Sequence, residues 1–413
     1  MTPRISAKAE KFKHSISPVR QIMSYADSNY IKSLGIDAGN LISYAGGWVN
    51  HRAPEELRAA YQAIADDASL FHASGAYPHT LGNREFKAAV ILFEQHVYGM
   101  TSLTVDQIAV GVGSTQLASD LFEVLLDPGD QVLFLDPSYC NYPTQLTTNI
   151  PDIKIIRFPV LDPDTWEYRP DDRIAALREF ILERRPKVIM LISPDNPTGQ
   201  VLSDAFVSAV RDAAAEIGSV LVMDFAYKEL VFNDAYPAYF SWGPSDNFVA
   251  LRSNSKWCRG LGRRLGWLEA PAVMIEAMES MQNSSILAPD MLHQMAMTRY
   301  VKTAVDTNTL RPYLTATNRL YQRAAARMME AIELYLGFPA LTPSGGLFTC
   351  VKVGTDGDQF VKDILQRCGV LFVPGWGFGA TLVDAVRVSY GPLVNDPDRI
   401  AEGFEKVGRS LGR

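Results

Sequence analysis

One lysine, Lys256, lies in the stretch Ser253-Asn254-Ser255-Lys256-Trp257-Cys258-Arg259-Gly260-Leu261-Gly262-Arg263-Arg264-Leu265-Gly266-Trp267. An amine there is a nucleophile toward a carbonyl, and the surrounding hydroxyls and guanidinium groups can grip a phosphate. Asp224 closes the apolar run SVLVMD, and Tyr227 follows three residues later. A carboxylate so placed costs desolvation energy unless it meets a cation, for instance a protonated heterocyclic nitrogen. A helix-capping aspartate is the plainer alternative. Asn196 stands in Ser193-Pro194-Asp195-Asn196-Pro197-Thr198-Gly199, where Pro and Gly fix a tight turn. Gly113-Ser114-Thr115-Gln116 opens a helical pattern whose free N–H groups suit an anion. Tyr139, in Pro137-Ser138-Tyr139-Cys140-Asn141-Tyr142, offers a face to a planar ligand or packs at the core edge.

All of these residues follow short apolar runs: QIAVGV (107–112), QVLFLD (131–136), IKIIRF (153–158), KVIMLI (187–192), SVLVMD (219–224) and NFVALR (247–252). Continuous β-branched runs spaced by helical patterns read as strands buried on both faces. One helix is expected from Gly113 to about Leu126, stopped by DPGD; another runs from the N-cap Ser203 to Gly218. The middle of the chain is therefore expected to be a doubly wound α/β unit, which binds ligands beyond the C-terminal ends of its strands. Residues 300–336 hold a long helical pattern, LTATNRLYQRAAARMMEAIELYL, followed by GLFTCVKV, a helix near 357–368 and AVRVSYG, an α+β arrangement. The helical EELRAAYQAI belongs to the first stretch of chain, expected to pack on this C-terminal part.

A chain of 413 residues exceeds the roughly 250–300 at which cores divide, so two domains are expected. The boundaries read as 1–60, an N-terminal segment belonging to the smaller domain, 61–300, a large cofactor-binding α/β domain, and 301–413, a small α+β domain. With 47% hydrophobic and 21% charged residues the chain is globular in composition, and 39 Lys plus Arg against 46 Asp plus Glu leave a formal charge of −7. That balance advertises neither nucleic-acid nor anionic-membrane binding. Cysteines at 140, 258, 350 and 368 form no CxxC pair, and six histidines form no HExxH or HxH, so neither disulfide framework nor metal site is expected. The polar N-terminus lacks the apolar stretch of a signal peptide, and no run approaches the ~20 apolar residues of a membrane span. A cytoplasmic location is the expectation.

Taken singly, each motif has a bland reading. Gly111-x-Gly113-x-x places Gln116 where a dinucleotide turn needs a third glycine, which keeps a nicotinamide-dependent dehydrogenase as a rival of another class. Taken together, an anion cradle, an aromatic, Asn, Asp, Tyr and then a lysine fall at successive strand ends of one sheet. Those are the groups that pyridoxal 5′-phosphate requires.

The sequence resembles the class I/II aminotransferase family, the fold-type-I pyridoxal-phosphate enzymes, from ISYAGG (42–47) to AVRVSYG (385–391). The likeness is strongest in GVGSTQ, SPDNPTG, DFAYKEL and SNSKWCRGLGRRLGW. The family pattern S-x-S-K-x(7)-R-x-G falls on Ser253, Ser255, Lys256, Arg264 and Gly266, and its Y-x(4)-G segment puts Tyr77 and Gly82 in register. The resemblance implies a mostly parallel seven-stranded sheet in a large domain, a smaller α+β domain, and pyridoxal 5′-phosphate as cofactor.

It also implies roles. Lys256 would hold the cofactor and shuttle a proton, Asp224 would pair with the ring nitrogen, and Tyr227 and Asn196 would hydrogen-bond the phenolic oxygen. Gly113, Ser114, Thr115, Ser253, Ser255 and Arg264 would bind the phosphate, and Tyr139 would stack on the ring. Tyr77 would reach the phosphate of a neighbouring subunit, which implies a homodimer with shared sites. Arg387 would grip the substrate α-carboxylate, with Gly47, Trp48 and Asn196 near the substrate. The activity implied is transfer of an amino group between an amino acid and a 2-oxo acid. Elimination or replacement at the β or γ carbon, cyclisation, and oxidation share the same cofactor contacts.

Departures from the pattern concentrate in Gly46-Gly47-Trp48-Val49-Asn50-His51, where relatives usually carry a proline. His51, a lone histidine in a loop, is expected to be solvated. The stretch SMQNSSILAPD (280–290) offers no arginine for a second substrate carboxylate, and Trp376 and Phe378 read equally as packing or recognition.

Overall fold

The computed structural model describes residues 4–13, 24–25, 27–37 and 39–413. The strands that frame the site are β1 (Ile42–Ser43), β2 (Ile108–Gly111), β3 (Gln131–Asp136), β4 (Lys154–Pro159), β5 (Val188–Ile192), β6 (Val220–Asp224), β7 (Phe248–Ser253), β8 (Gly266–Glu269), β9 (Phe348–Lys352), β10 (Val370–Leu371), β11 (Val373–Pro374) and β12 (Ala385–Ser389). Seven of them form one sheet in the order β2-β8-β7-β6-β5-β3-β4, parallel except for β8. Every residue of β2, β5, β6 and β7 is buried, which is why those runs read as unbroken apolar sequence rather than alternation. β4 ends the sheet, and its outward-facing Lys154 and Pro159 are exposed.

The six apolar runs become strands; the seventh strand, β8, was not among them. It is only Gly-Trp-Leu-Glu, too short and too polar at its ends to read as a run. Its register puts Gly266 between Gly111 of β2 and Ser253 of β7.

The helix Ser114–Leu125 starts directly after Gly113, and Asp204–Ile217 is capped by Ser203 Oγ and stopped by Gly218 in the left-handed region, as the turn chemistry requires. The long helix Leu310–Tyr335 is separated from Met291–Asp306 by a turn in which Asn308 takes φ +54°.

The amino-terminal stretch divides. β1 pairs in parallel with β10, joining the C-terminal part, while β9, β12 and β11 form a three-stranded antiparallel sheet. The helix Glu55–Asp66 goes elsewhere: it packs on Met291–Asp306, which in turn packs on Arg84–Tyr98, and Leu57, Ala60 and Ile64 join one apolar cluster with Phe86, Val90 and Met297. The expectation that this helix would join the C-terminal part is thus corrected. Its apolar stripe finds a larger apolar surface beside β2, where burial is worth about 1.5–3 kcal/mol for each large side chain.

A charge cluster lies wholly inside the protein against β7. Arg252 Nε donates to Glu94 Oε1 at 2.9 Å, Arg252 Nη2 donates to Glu229 Oε1 at 2.8 Å, and Lys228 Nζ donates to Glu94 Oε2 at 2.7 Å. Glu269 Oε1 joins at 3.7 Å from Arg252 Nε and also accepts Trp267 Nε1–H at 2.9 Å. Each of these five charged side chains is at most 1% exposed, so three carboxylates face two cations with no water to share the imbalance. Glu229 Oε2 and Glu269 Oε2 have no partner, and burial pushes the Glu269 carboxyl up to about 7.

Among the described residues no helix is long and apolar enough to cross a membrane.

Candidate active site

Beyond the C-terminal ends of the parallel strands lies a cleft lined by Ser114, Thr115, Tyr139, Asn196, Asp224, Tyr227, Ser253, Ser255, Lys256 and Arg264. All ten were singled out from the sequence because each ends or closely follows a strand. Tyr142, Ile192, Ala226 and Leu261 complete the lining.

The phosphate-like corner is built where β2, β8 and β7 lie side by side. Gly113 takes φ +102° and starts the helix Ser114–Leu125, leaving the first N–H groups of that helix free to face the cavity. A Cβ on Gly113 would come within 2.7 Å of Arg264 Nη2, and a Cβ on Gly266 within 2.7 Å of Arg252 O. Both positions therefore need glycine for the arginine and the helix start to converge. Ser253 Oγ donates to Ser255 Oγ at 2.7 Å and accepts from Ser255 N–H at 3.0 Å, holding both hydroxyls at the same rim. The rival dinucleotide turn is filled from within the chain: Gln116 Oε1 accepts Val112 N–H at 3.0 Å, and its amide donates to Asp120. A side chain thus occupies the place where a third glycine would admit a pyrophosphate.

Asp224 ends β6 and is 5% exposed. It does not cap a helix; it accepts Ala226 N–H at 2.9 Å and the Tyr142 hydroxyl at 2.6 Å. Burial pushes its carboxyl above the usual range, while the two hydrogen bonds and Lys256 pull it back. It has no salt-bridge partner of its own, so a protonated ring nitrogen would satisfy it. Tyr142 had no assigned role in the sequence. The available signal was its position three residues after Tyr139 at the start of the helix Asn141–Asn149, which turns both rings toward the same opening (ring centroids 5.4 Å apart).

Lys256 Nζ donates to the Gly47 carbonyl at 2.6 Å and stands 5.4 Å from the Tyr227 ring centroid. Burial, then the positive charge of Arg387, push its ammonium down to about 8, against the opposing pull of Asp224. Asn196 is held by the turn around it: Asp195 Oδ2 accepts Thr198 N–H at 3.1 Å and Thr198 Oγ1–H at 2.6 Å.

Arg387 on β12, the middle strand of the three-stranded sheet, is 6% exposed. Its Nη2 donates to Ala45 O at 2.8 Å, and its guanidinium lies over Phe348 and Phe378 at 4.4 and 5.0 Å. Phe378 is therefore a stacking surface for the arginine. The Nε of Arg387 is buried without a partner, a donor waiting for an acceptor.

Three residues depart from the cluster. Trp48 follows Gly47 on the same loop but is 45% exposed. Tyr77 is 84% exposed and lines no part of the cavity within this chain. His51, expected to be solvated, is 2% exposed and hydrogen-bonded at both ring nitrogens, so that expectation is overturned.

This donor set fits pyridoxal 5′-phosphate: an amine of lowered basicity, a buried carboxylate lacking a cation, an anion corner, and aromatic walls. The sequence matches the family model described as aminotransferase class I and II over residues 45–402. The chain is 25% identical to an aspartate/prephenate aminotransferase of Thermus thermophilus over 97% of both chains. It is 27% identical to a valine–pyruvate aminotransferase of Mycobacterium tuberculosis over 90% of this chain and 92% of that one. A solved structure of the Thermus thermophilus aspartate aminotransferase with maleate superimposes with a TM-score of 0.84 at 23% identity, covering 99% of this chain and 100% of the other, which shows the fold.

Proposed function

The chain belongs to the class I and II aminotransferases, and from that premise we propose that it moves an amino group between an amino acid and a 2-oxo acid with Lys256 as the cofactor-bearing and proton-carrying residue. The observation that carries this assignment is the placement of Lys256 and Asp224 on the walls of one cavity, with the anion corner beside them.

When bound, pyridoxal 5′-phosphate supplies an aldehyde that condenses with amines and a protonated ring that accepts the electron pair left at the substrate Cα. Asp224 holds the proton on the ring nitrogen, and Tyr142 orients Asp224. Asn196 spends its Oδ1 on Arg387, which leaves its amide as a donor to the phenolic oxygen together with the Tyr227 hydroxyl. Ser114, Thr115, Ser253, Ser255 and Arg264 bind the phosphate, and Tyr139 covers the ring.

Arg387 takes the substrate carboxylate through its free Nε and its Nη groups, a planar fork that fits two oxygens. Lys256 Nζ, with its basicity lowered into the neutral range, takes the proton from the substrate Cα. Donors with an uncharged side chain suit this chain. The cations lining or bordering the cavity are Lys256, Arg264 and Arg387, each already assigned, and 280–290 adds no arginine.

The assembly we propose is a homodimer in which Tyr77 serves the partner's phosphate. The exposed Tyr77, Phe71 and Leu287 support it, since large apolar side chains left in water mark an interface. A division into domains just before the helix Glu55–Asp66 and at about residue 300, a cytoplasmic location and a biosynthetic role complete the reading.

The test is a spectral titration of the holoenzyme with a panel of amino acids, with product masses measured afterwards. Lys256→Ala should lose the visible cofactor band and all turnover. A band that survives in that variant would overturn the assignment of Lys256, and products other than a 2-oxo acid and the aminated cofactor would overturn the reaction.

A further inference from the structure

The loop from Tyr44 to Pro54 carries two groups that face the site, the carbonyls of Ala45 and Gly47, yet beyond β1 it belongs to no strand or helix. Beyond Tyr44, whose N–H donates to Leu371 O and whose carbonyl accepts Ser389 N–H, no ladder fixes it, so side chains must. Asn50 Nδ2 donates to Pro392 O at 3.1 Å, and Asn395 Nδ2 returns a bond to Asn50 O at 2.6 Å. The Tyr313 hydroxyl donates to Arg52 O at 3.0 Å, and the His51 ring is a further anchor. Its Nε2 lies 3.1 Å from the carbonyl of Trp257, the residue directly after Lys256, and its Nδ1 lies 2.8 Å from the Tyr321 hydroxyl.

The tautomer follows from chemistry. A carbonyl oxygen only accepts, so Nε2 carries the hydrogen, and Nδ1 accepts from the hydroxyl. The ring is buried and neutral, its basicity pushed down to about 4, so it takes up no second proton at working pH. The groups that face it are Tyr321 and Tyr313 from the long helix and Arg259 from the lysine turn, whose Nη1 donates to His51 O at 3.2 Å. Tyr313 also donates to the Trp257 carbonyl at 3.0 Å. The peptide after Lys256 is thus held by two side chains, one from the loop and one from the helix Leu310–Tyr335.

Resting on the assignment of Lys256 above, we propose that His51 is a positioning residue: it locks the loop that presents the Gly47 carbonyl to the turn that presents the Lys256 amine. Loop and turn then move as one body, and the direction from which the amine meets the substrate is set by a hydrogen-bonded chain Tyr321–His51–Trp257. His51 touches no reacting atom.

His51→Phe keeps the ring and removes both hydrogen bonds, and His51→Gln restores a donor for the Trp257 carbonyl. In the holoenzyme, His51→Phe should lower kcat roughly tenfold with KM for the amino acid changed less than about threefold. It should also move the pH midpoint of the visible cofactor band by about half a unit. His51→Gln should recover part of both. Should His51→Phe fail to fold, Tyr321→Phe breaks the other half of the chain with the ring volume kept, and is expected to shift kcat and the midpoint in the same directions by less.

A lowered melting temperature with unchanged kcat and band midpoint, in whichever of these variants folds, would make His51 a packing residue and overturn the proposal. The Lys256→Ala control separates the two failures, because a persisting band there condemns the lysine assignment whatever His51 does.

Discussion

Arg387 Nη1 donates to Asn196 Oδ1 at 3.0 Å, joining β12 of the three-stranded sheet to the turn that follows β5 of the seven-stranded one. The bond fixes which end of the Asn196 amide faces the cavity and holds the guanidinium plane over Phe348.

Replacing Arg387 by Lys keeps the charge and loses the planar fork. Loss of a charge-assisted hydrogen bond is worth about 1.5–3 kcal/mol, so KM for the amino donor should rise roughly 10- to 100-fold with a smaller change in kcat. Steady-state kinetics with one donor and one acceptor measure the split. An unchanged KM would move the carboxylate site elsewhere.

Tyr142→Phe removes the 2.6 Å hydrogen bond to Asp224. That bond lowers the carboxyl's proton affinity, so its loss should raise it further. Activity that needs an ionised Asp224 should then begin at higher pH, displacing the acidic limb of kcat/KM upward by about one unit. The pH profile of the variant beside the wild type is the check.

The Lys256 amine should be free above about pH 8 rather than above 10.5. The rate at which the apoprotein takes up pyridoxal 5′-phosphate, followed by absorbance, should therefore rise with pH and level off near that value. Asp224→Asn removes the anion that favours the ammonium and should move the midpoint lower still. A midpoint near 10 would mean that the amine is solvated in the apoprotein.

Stability carries its own signature from the buried charge cluster. The folded carboxyl of Glu269 is held at about 7, above the 4.5 of an exposed glutamate. The folded state therefore binds a proton more readily, and this contribution is present in full below pH 4.5 and is lost as pH rises through 7. Glu269→Gln stays neutral throughout. Its melting temperature should gain on the wild type by a few degrees between pH 5 and pH 8, measured by calorimetry.

Much of the site was legible because its residues end strands. Asp224, Ser253 and Lys256 each sit at or just past an apolar run, and the rule for open parallel sheets places such residues in one crevice. What escaped the sequence depends on long-range contacts. The strand Gly266–Glu269 has no run to announce it and forms because β2 and β7 leave a gap of one strand between them. His51 looked solvated because nothing local reveals that Tyr321, 270 positions away, donates to it. Tyr142 was visible only as a second aromatic, since its partner Asp224 lies 82 residues downstream. The helix Glu55–Asp66 showed its apolar stripe but not which of two apolar surfaces would take it.

The one strand that runs backward has an effect on how the site is assembled. Because β8 returns against β7, the excursion through Lys256 leaves and re-enters the sheet at the same end of its strands, delivering Ser253 and Arg264 beside the helix start at Ser114. The groups proposed to hold the coenzyme's anionic tail thus hang from the seven-stranded sheet, whereas Arg387 hangs from the three-stranded one. The proposed anion corner is therefore built independently of the strand that carries the proposed carboxylate grip.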